Sequence, residues 1–299
     1  MRTVLLVSNA LLLLLLIVAV RRMLNDRSRL RKLGQNYVSL LKVSEGTFDS
    51  VIPIVRLDEF HEVFARTEPG FNPESEVSFI GYWVRGGTSS FESWVLSVLA
   101  KQATSLFEFG TCSGKTTYLW AKNSPAEARI VTLTLGKDQH ADYLAAGEDN
   151  LLAIQTALAE SAFDSFMYSG TPVEHKITQL FGDSKRFDET PYLKQCDLIF
   201  IDGSHAYSYV KNDTEKALRM LKEGGLLLWH DYRYRNLETR GVRQYLDELS
   251  ETLPLIRLDE TTIVAYRNDT KTSRRTRERK RDALLSKPGR RKERRWFFL

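Results

Sequence analysis

Residues 106–117 read LFEFGTCSGKTT, and this stretch decides the fold. An apolar run ends at Glu108, glycines follow at positions 110 and 114, and a helix-like segment begins near Lys115. A strand that passes through a glycine loop into a helix is the first unit of an α/β sheet, and the loop lies at the carboxyl end of the strand. Because glycine has no side chain, a ligand can approach such a loop closely. The stretch therefore predicts a binding pocket for a nucleotide-like cofactor.

Strand and helix patterns alternate on both sides of this stretch. Apolar runs typical of buried parallel strands lie at 129–135, 176–181, 197–201 and 226–229. Helical spacing is found at 89–101, 137–166, 208–221 and 237–249. Two short runs, 256–258 and 262–266, predict an antiparallel strand pair that closes the sheet. The alternation predicts a Rossmann-like, three-layer α/β domain over residues 78–266, with a mostly parallel sheet.

The amino-terminal region is apolar. Residues 3–20, TVLLVSNALLLLLLIVAV, form a run of 18 residues without a charge. As a helix at ~1.5 Å per residue the run is roughly 27 Å long, close to the ~30 Å hydrocarbon core of a bilayer. A secretory signal peptide is the alternative, but its apolar region is shorter and ends at small residues, whereas Arg21 and Arg22 follow this run directly. We therefore predict a transmembrane anchor over residues 1–22.

Flanking charge predicts the orientation of that anchor. Only Arg2 precedes the run, and six basic residues follow it: Arg21, Arg22, Arg27, Arg29, Arg31 and Lys32. The positive-inside rule then places the downstream domain in the cytoplasm. The two cysteines, Cys112 and Cys196, give no disulfide framework and fit a reducing compartment. Residues 23–77, with helical spacing at 27–42, are interpreted as a stalk that leads into the domain.

The carboxyl-terminal region is basic. Of the 43 basic and 38 acidic residues in the chain, 14 and 4 lie within 267–299, so this tail carries +10 and the rest of the chain −5. Such a composition predicts a segment that is disordered alone. It would be attracted to anionic lipid by ~1 kcal/mol per basic residue near the surface, and its last residues, WFFL, suit the interface. The same charges would bind nucleic acid, but the apolar run at the other end favours lipid.

Polar residues and glycines lie at the ends of the predicted strands, where a sheet of this kind binds its ligands. They are Glu108, Gly110, Thr111, Gly114, Thr134, Asp183, Ser184, Asp202, His205, His230 and Asp231. Because the carboxyl ends of parallel strands meet at one edge, we expect these residues to converge. A dinucleotide-dependent oxidoreductase is disfavoured, because the glycine spacing is G-x-x-x-G and the single fitting Tyr-x-x-x-Lys pair, Tyr118 and Lys122, lies on the first helix after the loop.

Three strings carry a family resemblance: FEFGTCSGKTT at 107–117, FGDS at 181–184, and DLIFIDGSHAYSYVKNDTEKALRMLKEGGLLLWHDY at 197–232. Together they resemble the class I S-adenosylmethionine-dependent methyltransferases, in particular the small-molecule and sugar O-methyltransferase branch called the methyltransferase-24 family. The resemblance covers roughly residues 89–266. It implies methyl transfer from S-adenosylmethionine to a hydroxyl of a small molecule, a saccharide or a lipid-linked saccharide.

The resemblance also implies which residues hold the cofactor. The glycine loop would hold the methionine part through Glu108, Gly110, Thr111 and Gly114. Asp183 and Ser184 would flank the adenine, with a turn or helix cap as the alternative role for Asp183. Thr134 and Asp202 complete the predicted cofactor set at the ends of the second and fourth predicted strands.

Thr134 departs from the family pattern. The family has an acidic residue at this position, which accepts both ribose hydroxyls, whereas threonine offers no charge-assisted bidentate contact. Asp138 is close in the sequence and is a candidate substitute. A catalytically silent, membrane-anchored cofactor-binding or scaffold protein is therefore the alternative function.

Two aspartates predict a metal site. Related O-methyltransferases hold a divalent cation with acidic residues at these strand ends, which here are Asp202 and Asp231, and two carboxylates with water suit Mg²⁺. The cation would orient an acceptor hydroxyl and lower its pKa. His205 is the candidate general base, with Asp202 beside it, because imidazole titrates near neutral pH. Structural roles, such as a turn cap for Asp202, are the alternative.

Overall fold

The computed structural model describes residues 50–66, 70, 72–80 and 87–268. The fold below lies within the compact unit Val51–Leu299. Its described residues form one sheet of eight strands in the order β1-β7-β8-β6-β5-β2-β3-β4. The strands are β1 Ile54–Val55, β2 Ser105–Phe109, β3 Arg129–Thr134, β4 Ile177–Phe181, β5 Cys196–Ile201, β6 Leu221–Trp229, β7 Ile256–Leu258 and β8 Val264–Arg267.

Most of the sheet is parallel. Strands β4, β3, β2, β5 and β6 pair in parallel, and β8 runs antiparallel to both β6 and β7. The predicted Rossmann-like sheet and its antiparallel carboxyl-terminal pair are therefore confirmed. Strand β1 pairs in parallel with β7, so the sheet extends into the segment 23–77 that the sequence assigns to a stalk. Two residues are too short a run to show strand periodicity in a sequence.

Helices cover the sheet. They are α1 Leu57–Phe60, α2 Ser90–Ala100, α3 Lys115–Asn123, α4 Leu151–Glu160, α5 Tyr207–Met220 and α6 Arg240–Leu249. Short 3₁₀ segments lie at Glu62–Phe64, Pro73–Ser75, Lys137–Asp142, Glu174–Lys176 and Thr190–Tyr192. The predicted helix over 137–166 is wrong as one element. It divides into the 3₁₀ segment and α4, because the Asn150 side chain accepts a hydrogen bond from the Leu152 amide at 2.8 Å and so begins a new helix.

Side chains alternate between the two faces of the sheet and build two cores. Phe107 and Phe109 of β2 pack with buried residues of α5 and α6, such as Met220 and Leu246. On the opposite face, Leu106 packs with buried residues of α2 and α3. The sheet is therefore covered by helices on both sides, which confirms the three-layer arrangement.

In the described part of the chain, none of the helices has both the length and the apolar character needed to cross a membrane. The predicted anchor at residues 1–22 and the helical spacing at 27–42 lie outside the described residues. The basic tail lies outside them from residue 269 onward.

Candidate active site

A cleft opens at the carboxyl ends of the central strands. Strand β2 lies between β3 and β5, so the chain leaves β2 to build the sheet outward in both directions. Such a switch point is where open α/β sheets bind ligands. The cleft has an empty volume of about 580 Å³, and its walls come from the glycine loop, the ends of β3, β4 and β5, and the helix α4.

Both glycines of the loop are required by close packing. Gly110 has φ 98°, and a Cβ built there would lie 2.2 Å from the carbonyl oxygen of Asp202. Gly114 has φ 78°, and its Cβ would lie 2.8 Å from the Tyr168 ring and 2.9 Å from Phe166. Gly110 lines the cleft, whereas Gly114 is covered by the segment 166–168, whose Met167 amide donates to the Ser113 carbonyl at 2.9 Å.

Glu108 and Thr111 lie behind the loop and do not line the cleft. The Glu108 carboxyl accepts hydrogen bonds from Thr117 and, at 2.8 Å, from Thr132, whose hydroxyl is also 2.7 Å from that of Thr111. Burial raises the pKa of Glu108 to about 8, so it is neutral at neutral pH. Alternation along β2 explains this position, since Glu108 shares the face of Leu106 that is turned to α3.

The predicted cofactor set is thus divided by the structure. Glu108 and Thr111 lie behind the loop and Gly114 is covered by the segment 166–168, whereas the others line the cleft: Gly110, Thr134, Asp183, Ser184 and Asp202. Asp138, the candidate substitute for a ribose-binding acid, is exposed and is not among the lining residues.

Asp183 has several partners in addition to its place in the cleft. Its carboxylate accepts from the Lys185 amide at 2.7 Å, from the Leu144 amide at 3.0 Å, and from the Tyr209 hydroxyl. The first bond is a local turn bond, which is the alternative role weighed for this residue. A carboxylate has about four acceptor positions, so Asp183 retains one for a ligand.

Histidines and carboxylates alternate at the ends of β5 and β6. The Nδ1 atom of His230 lies 2.8 Å from Asp202 Oδ1, and Asp231 Oδ2 lies 3.0 Å from His205 Nε2. The Asp231 carboxylate also lies 3.3 Å from His230 Nδ1, which joins the two pairs into one cluster. Glu92 of α2 lies 3.3 Å from the other ring nitrogen of His230. The predicted residues Asp202, His205 and Asp231 are therefore brought together.

The charges of this cluster depend on one another. Burial disfavours the charged form of His205, but the hydrogen bond to Asp231 and the nearby Glu238 outweigh burial and raise its pKa to about 10. Burial opposes ionisation of Asp231 as well, yet His230 and His205 hold its pKa well below the usual range. Burial raises the pKa of Asp202 despite the neighbouring His230. At neutral pH both imidazoles are therefore in the charged form, which the carboxylates stabilise.

Three ligand atoms of the cluster are close enough to hold a metal ion. One atom each from Asp202, His205 and Asp231 lie within 4.8 Å of one another. The Nδ1 atom of His205 has no hydrogen-bond partner among the described residues, and Glu238 lies 3.6 Å from it. Two carboxylate oxygens and one imidazole nitrogen fit a divalent cation, and the imidazole suits Mn²⁺ or Zn²⁺ better than the predicted Mg²⁺, which prefers oxygen.

Sequence reasoning missed several residues that line the cleft, among them Glu160, Tyr143 and Cys112. Glu160, at the end of α4, has a pKa raised to about 7 by burial, with His205 opposing the shift. Tyr143 stacks on Tyr209, with ring centroids 4.4 Å apart, and its hydroxyl lies 2.7 Å from that of Ser204. Cys112 lies in the glycine loop, and burial raises its thiol pKa to about 12. One signal was present for Glu160, which is the single charge in the run LLAIQTALAESAF at 151–163.

The comparison with protein families gives one match. Residues 107–232 match the family model described as a methyltransferase domain. No curated protein matches the chain. Among solved structures, the O-methyltransferase TomG from Streptomyces achromogenes is 19% identical over 61% of this chain and 82% of its own, with a TM-score of 0.39.

Two further solved structures show similar values. A putative O-methyltransferase from Klebsiella pneumoniae is 18% identical over 62% of this chain and 83% of its own, with a TM-score of 0.41. An O-methyltransferase from Bacillus cereus, solved with SAH, is 16% identical over 62% of this chain and 84% of its own, with a TM-score of 0.41.

The family match covers the glycine loop, β2 to β6 and the histidine–carboxylate cluster up to residue 232. The segment 107–232, which is less than half of the chain, is therefore similar to a methyltransferase domain.

Proposed function

We propose that this chain transfers the methyl group of S-adenosylmethionine to a hydroxyl oxygen of a small-molecule or saccharide acceptor. The observation that carries the proposal is the position of Asp202. It lines the cleft beside Gly110, and at the same time it belongs to the histidine–carboxylate cluster. A donor held at the glycine loop and an acceptor held at the cluster would therefore meet at one residue.

The residues of the cleft suit a cationic donor. The Gly110 backbone would face the methionine part, and Asp183 and Ser184 would flank the adenine. Glu160 and Asp202 both line the cleft, and burial raises the pKa of each because no cation offsets it fully. A sulfonium placed between these carboxyl groups would favour their ionised forms. Thr134 would give the ribose one hydrogen bond in place of a bidentate contact.

The cluster would handle the acceptor. The acceptor oxygen attacks the methyl carbon in line with the carbon–sulfur bond, which breaks to leave S-adenosylhomocysteine, while the hydroxyl proton passes to a base. His205, oriented by Asp231, is the base we assign. Its imidazole is protonated on both ring nitrogens at neutral pH, so one of these protons must leave before His205 can accept the hydroxyl proton. A divalent cation held by Asp202 and Asp231 would favour that loss and would lower the pKa of the acceptor hydroxyl.

We further propose that the chain is a single-pass membrane protein whose domain faces the cytoplasm. The uncharged run at 3–20 and the basic residues that follow it support this orientation. An anchored domain favours a membrane-proximal or lipid-linked acceptor, and the basic tail adds attraction to anionic lipid. We do not assign a nucleic-acid partner.

A second function is favoured by one observation. Thr134 stands where the family has a ribose-binding acid, and the nearby Asp138 is turned to solvent. A catalytically silent cofactor-binding or scaffold protein would tolerate this loss.

Calorimetry together with a methyl-transfer assay on the full-length chain separates the two functions. We expect S-adenosylmethionine and S-adenosylhomocysteine to bind, and methyl label to pass from the donor to a component of host cell extract. Asp202→Ala should abolish label transfer, whereas Asp164→Ala, at an exposed carboxylate paired with Lys137, should not. Absence of binding by either compound removes the enzyme function. Label transfer that survives a metal chelator excludes a metal ion from the reaction and leaves the proposed methyl transfer itself standing.

A further inference from the structure

Helix α4 is apolar and yet largely unburied. Seven of its ten residues in LLAIQTALAE are leucine, isoleucine or alanine, and only Ala153 is buried. By comparison, eight of the eleven residues of α2 are buried. Most apolar helices of a globular domain bury their apolar face in the core, so α4 presents a surface that the described fold does not use.

The exposed side chains of α4 continue into a neighbouring loop. Leu151 is 65% exposed and Leu152 47% exposed, and Leu237 is 64% exposed. The Asn150 side chain donates to the Leu237 carbonyl at 2.6 Å, which fixes Leu237 beside the first turn of α4. We name these three leucines, Leu151, Leu152 and Leu237, the apolar rim.

The apolar rim lies beside the mouth of the cleft. Helix α4 contributes Ala157 and Glu160 to the cleft wall, and they follow Leu151 by 6 and 9 residues on the same helix. A surface that covered the rim would therefore lie next to the opening through which an acceptor enters.

Exposed arginines flank the rim. Arg235 and Arg240 lie two residues before and three residues after Leu237, and both are exposed. Neither forms an ion pair within the described residues, whereas the nearby Arg233 is paired with Asp231 at 2.9 Å. Leucines bordered by guanidinium groups match the chemistry of an anionic lipid surface, where apolar side chains enter the interface and cations remain at the headgroups.

We propose that the apolar rim docks the domain onto an anionic lipid bilayer, with Arg235 and Arg240 at the headgroup phosphates. The rest of the chain supports this occupant. It carries an uncharged run of 18 residues at 3–20 and a tail with 14 basic residues that ends in WFFL, and both have the composition of lipid-binding segments. The inference concerns a surface and does not depend on the proposed reaction.

Hydrogen–deuterium exchange of the full-length chain tests the proposal. Exchange is measured in detergent, in phosphatidylcholine vesicles, and in vesicles that also contain phosphatidylserine. We expect amides at 150–156 and 235–240 to exchange at least about tenfold more slowly in the anionic vesicles than in detergent, which corresponds to about 1.4 kcal/mol. Exchange of the amides at 190–195, which precede the amino-terminal end of β5, should not change.

Matched variants make the result specific. Leu237→Ser should lose the protection, whereas Leu193→Ser, at a leucine 40% exposed before β5, should keep it. The double change of Arg235 and Arg240 to Glu should also lose it, and Lys122→Glu on the far end of α3 should not. Unchanged exchange of β5 amides verifies that each variant is folded.

Three outcomes overturn the proposal. Equal exchange of the rim amides in detergent and in anionic vesicles shows that lipid does not cover the rim. Equal protection in phosphatidylcholine and phosphatidylserine vesicles removes the anionic preference. Protection in detergent that grows with protein concentration assigns the rim to a second copy of the chain.

Discussion

The Nε2 atom of His205 lies 3.0 Å from Asp231 Oδ2, and the same carboxylate oxygen lies 3.3 Å from Nδ1 of His230. One carboxylate therefore stabilises the protons of two imidazoles that follow different strands. Asp231 adopts a left-handed backbone conformation with φ 59°, which is uncommon for a residue other than glycine. Backbone strain of this kind gathers at functional sites, where surrounding contacts hold it in place.

Asp231→Asn should lower the pKa of His205 from about 10 by at least about one unit, because it replaces the charged acceptor of its strongest hydrogen bond. NMR titration of the histidine ring protons measures the change. Asp197→Asn, at the opposite end of β5, should leave the titration of His205 as it is. An unaltered His205 pKa in the Asp231 variant would show that another group holds the proton.

The same substitution has a signature in stability. A histidine whose folded pKa is raised stabilises the protein fully below its unfolded pKa of about 6.5, and this stabilisation is lost as the pH rises through the folded pKa. Asp231, whose pKa is lowered in the fold, adds its stabilisation only above its unfolded pKa of about 3.8, so the difference in unfolding free energy between the wild type and Asp231→Asn should be largest between about pH 4 and pH 6.5 and shrink towards pH 10. Urea unfolding across that pH range gives the difference directly.

Glu160→Gln should weaken binding of S-adenosylmethionine more than binding of S-adenosylhomocysteine, because only the first carries a sulfonium charge. Wild-type affinity for S-adenosylmethionine should rise between about pH 6 and pH 8, since the pKa of Glu160 is about 7 and only its ionised form attracts the cation. Isothermal calorimetry on both ligands at several pH values measures this. Equal losses for the two ligands would place Glu160 away from the sulfur.

Gly110→Ala should destabilise the domain by more than about 3 kcal/mol, because its Cβ would lie 2.2 Å from the backbone oxygen of Asp202 at a φ of 98°. Gly147→Ala is the matched control, since nothing lies within 4 Å of the Cβ it adds, and it should change stability by less than about 1 kcal/mol. Urea unfolding of both variants compares them. Similar stabilities would show that the β2–β5 contact yields easily.

Glu108→Gln should flatten the dependence of stability on pH. The folded pKa of Glu108 is about 8 and its ordinary value is 4.5, so between these values the folded state holds a proton that the unfolded state releases. Stability of the wild type should then fall by about 1.4 kcal/mol per pH unit from this group alone. Urea unfolding at pH 5 to 8 should show the variant gaining on the wild type as the pH rises. A constant difference between them would contradict the raised pKa.

The apolar runs predicted the sheet because buried parallel strands are continuous and uninterrupted. The strands at 129–134, 177–181 and 196–201 all fall within one residue of the predicted starts. Convergence of Asp202, His205 and Asp231 followed from topology alone, since each comes directly after a strand. The pairing of each histidine with a carboxylate could not be predicted, because distances of about 3 Å depend on side-chain rotamers that a sequence pattern does not determine.

The segment 137–150 could not be predicted in the same way. Its course is set by contacts distant in sequence, such as the Leu144 amide on Asp183 and the Asp149 carboxylate on the Ser208 amide at 2.9 Å. Glu92 is another example, since it joins the site from α2 while its other oxygen accepts from the Thr262 amide at 2.8 Å. Such residues carry no local signal of their role.

The turn at 166–168 that covers Gly114 has a consequence for ligand affinity. Met167 is hydrogen-bonded to the Ser113 carbonyl on one side of the glycine loop, and the buried Thr111–Thr132–Glu108 contacts support it on the other. A loop restrained from two directions has little conformational entropy left to lose when a ligand binds, so less of the contact energy is spent on ordering it. In the proposed function, this would offset part of the ribose interaction that threonine at position 134 cannot provide.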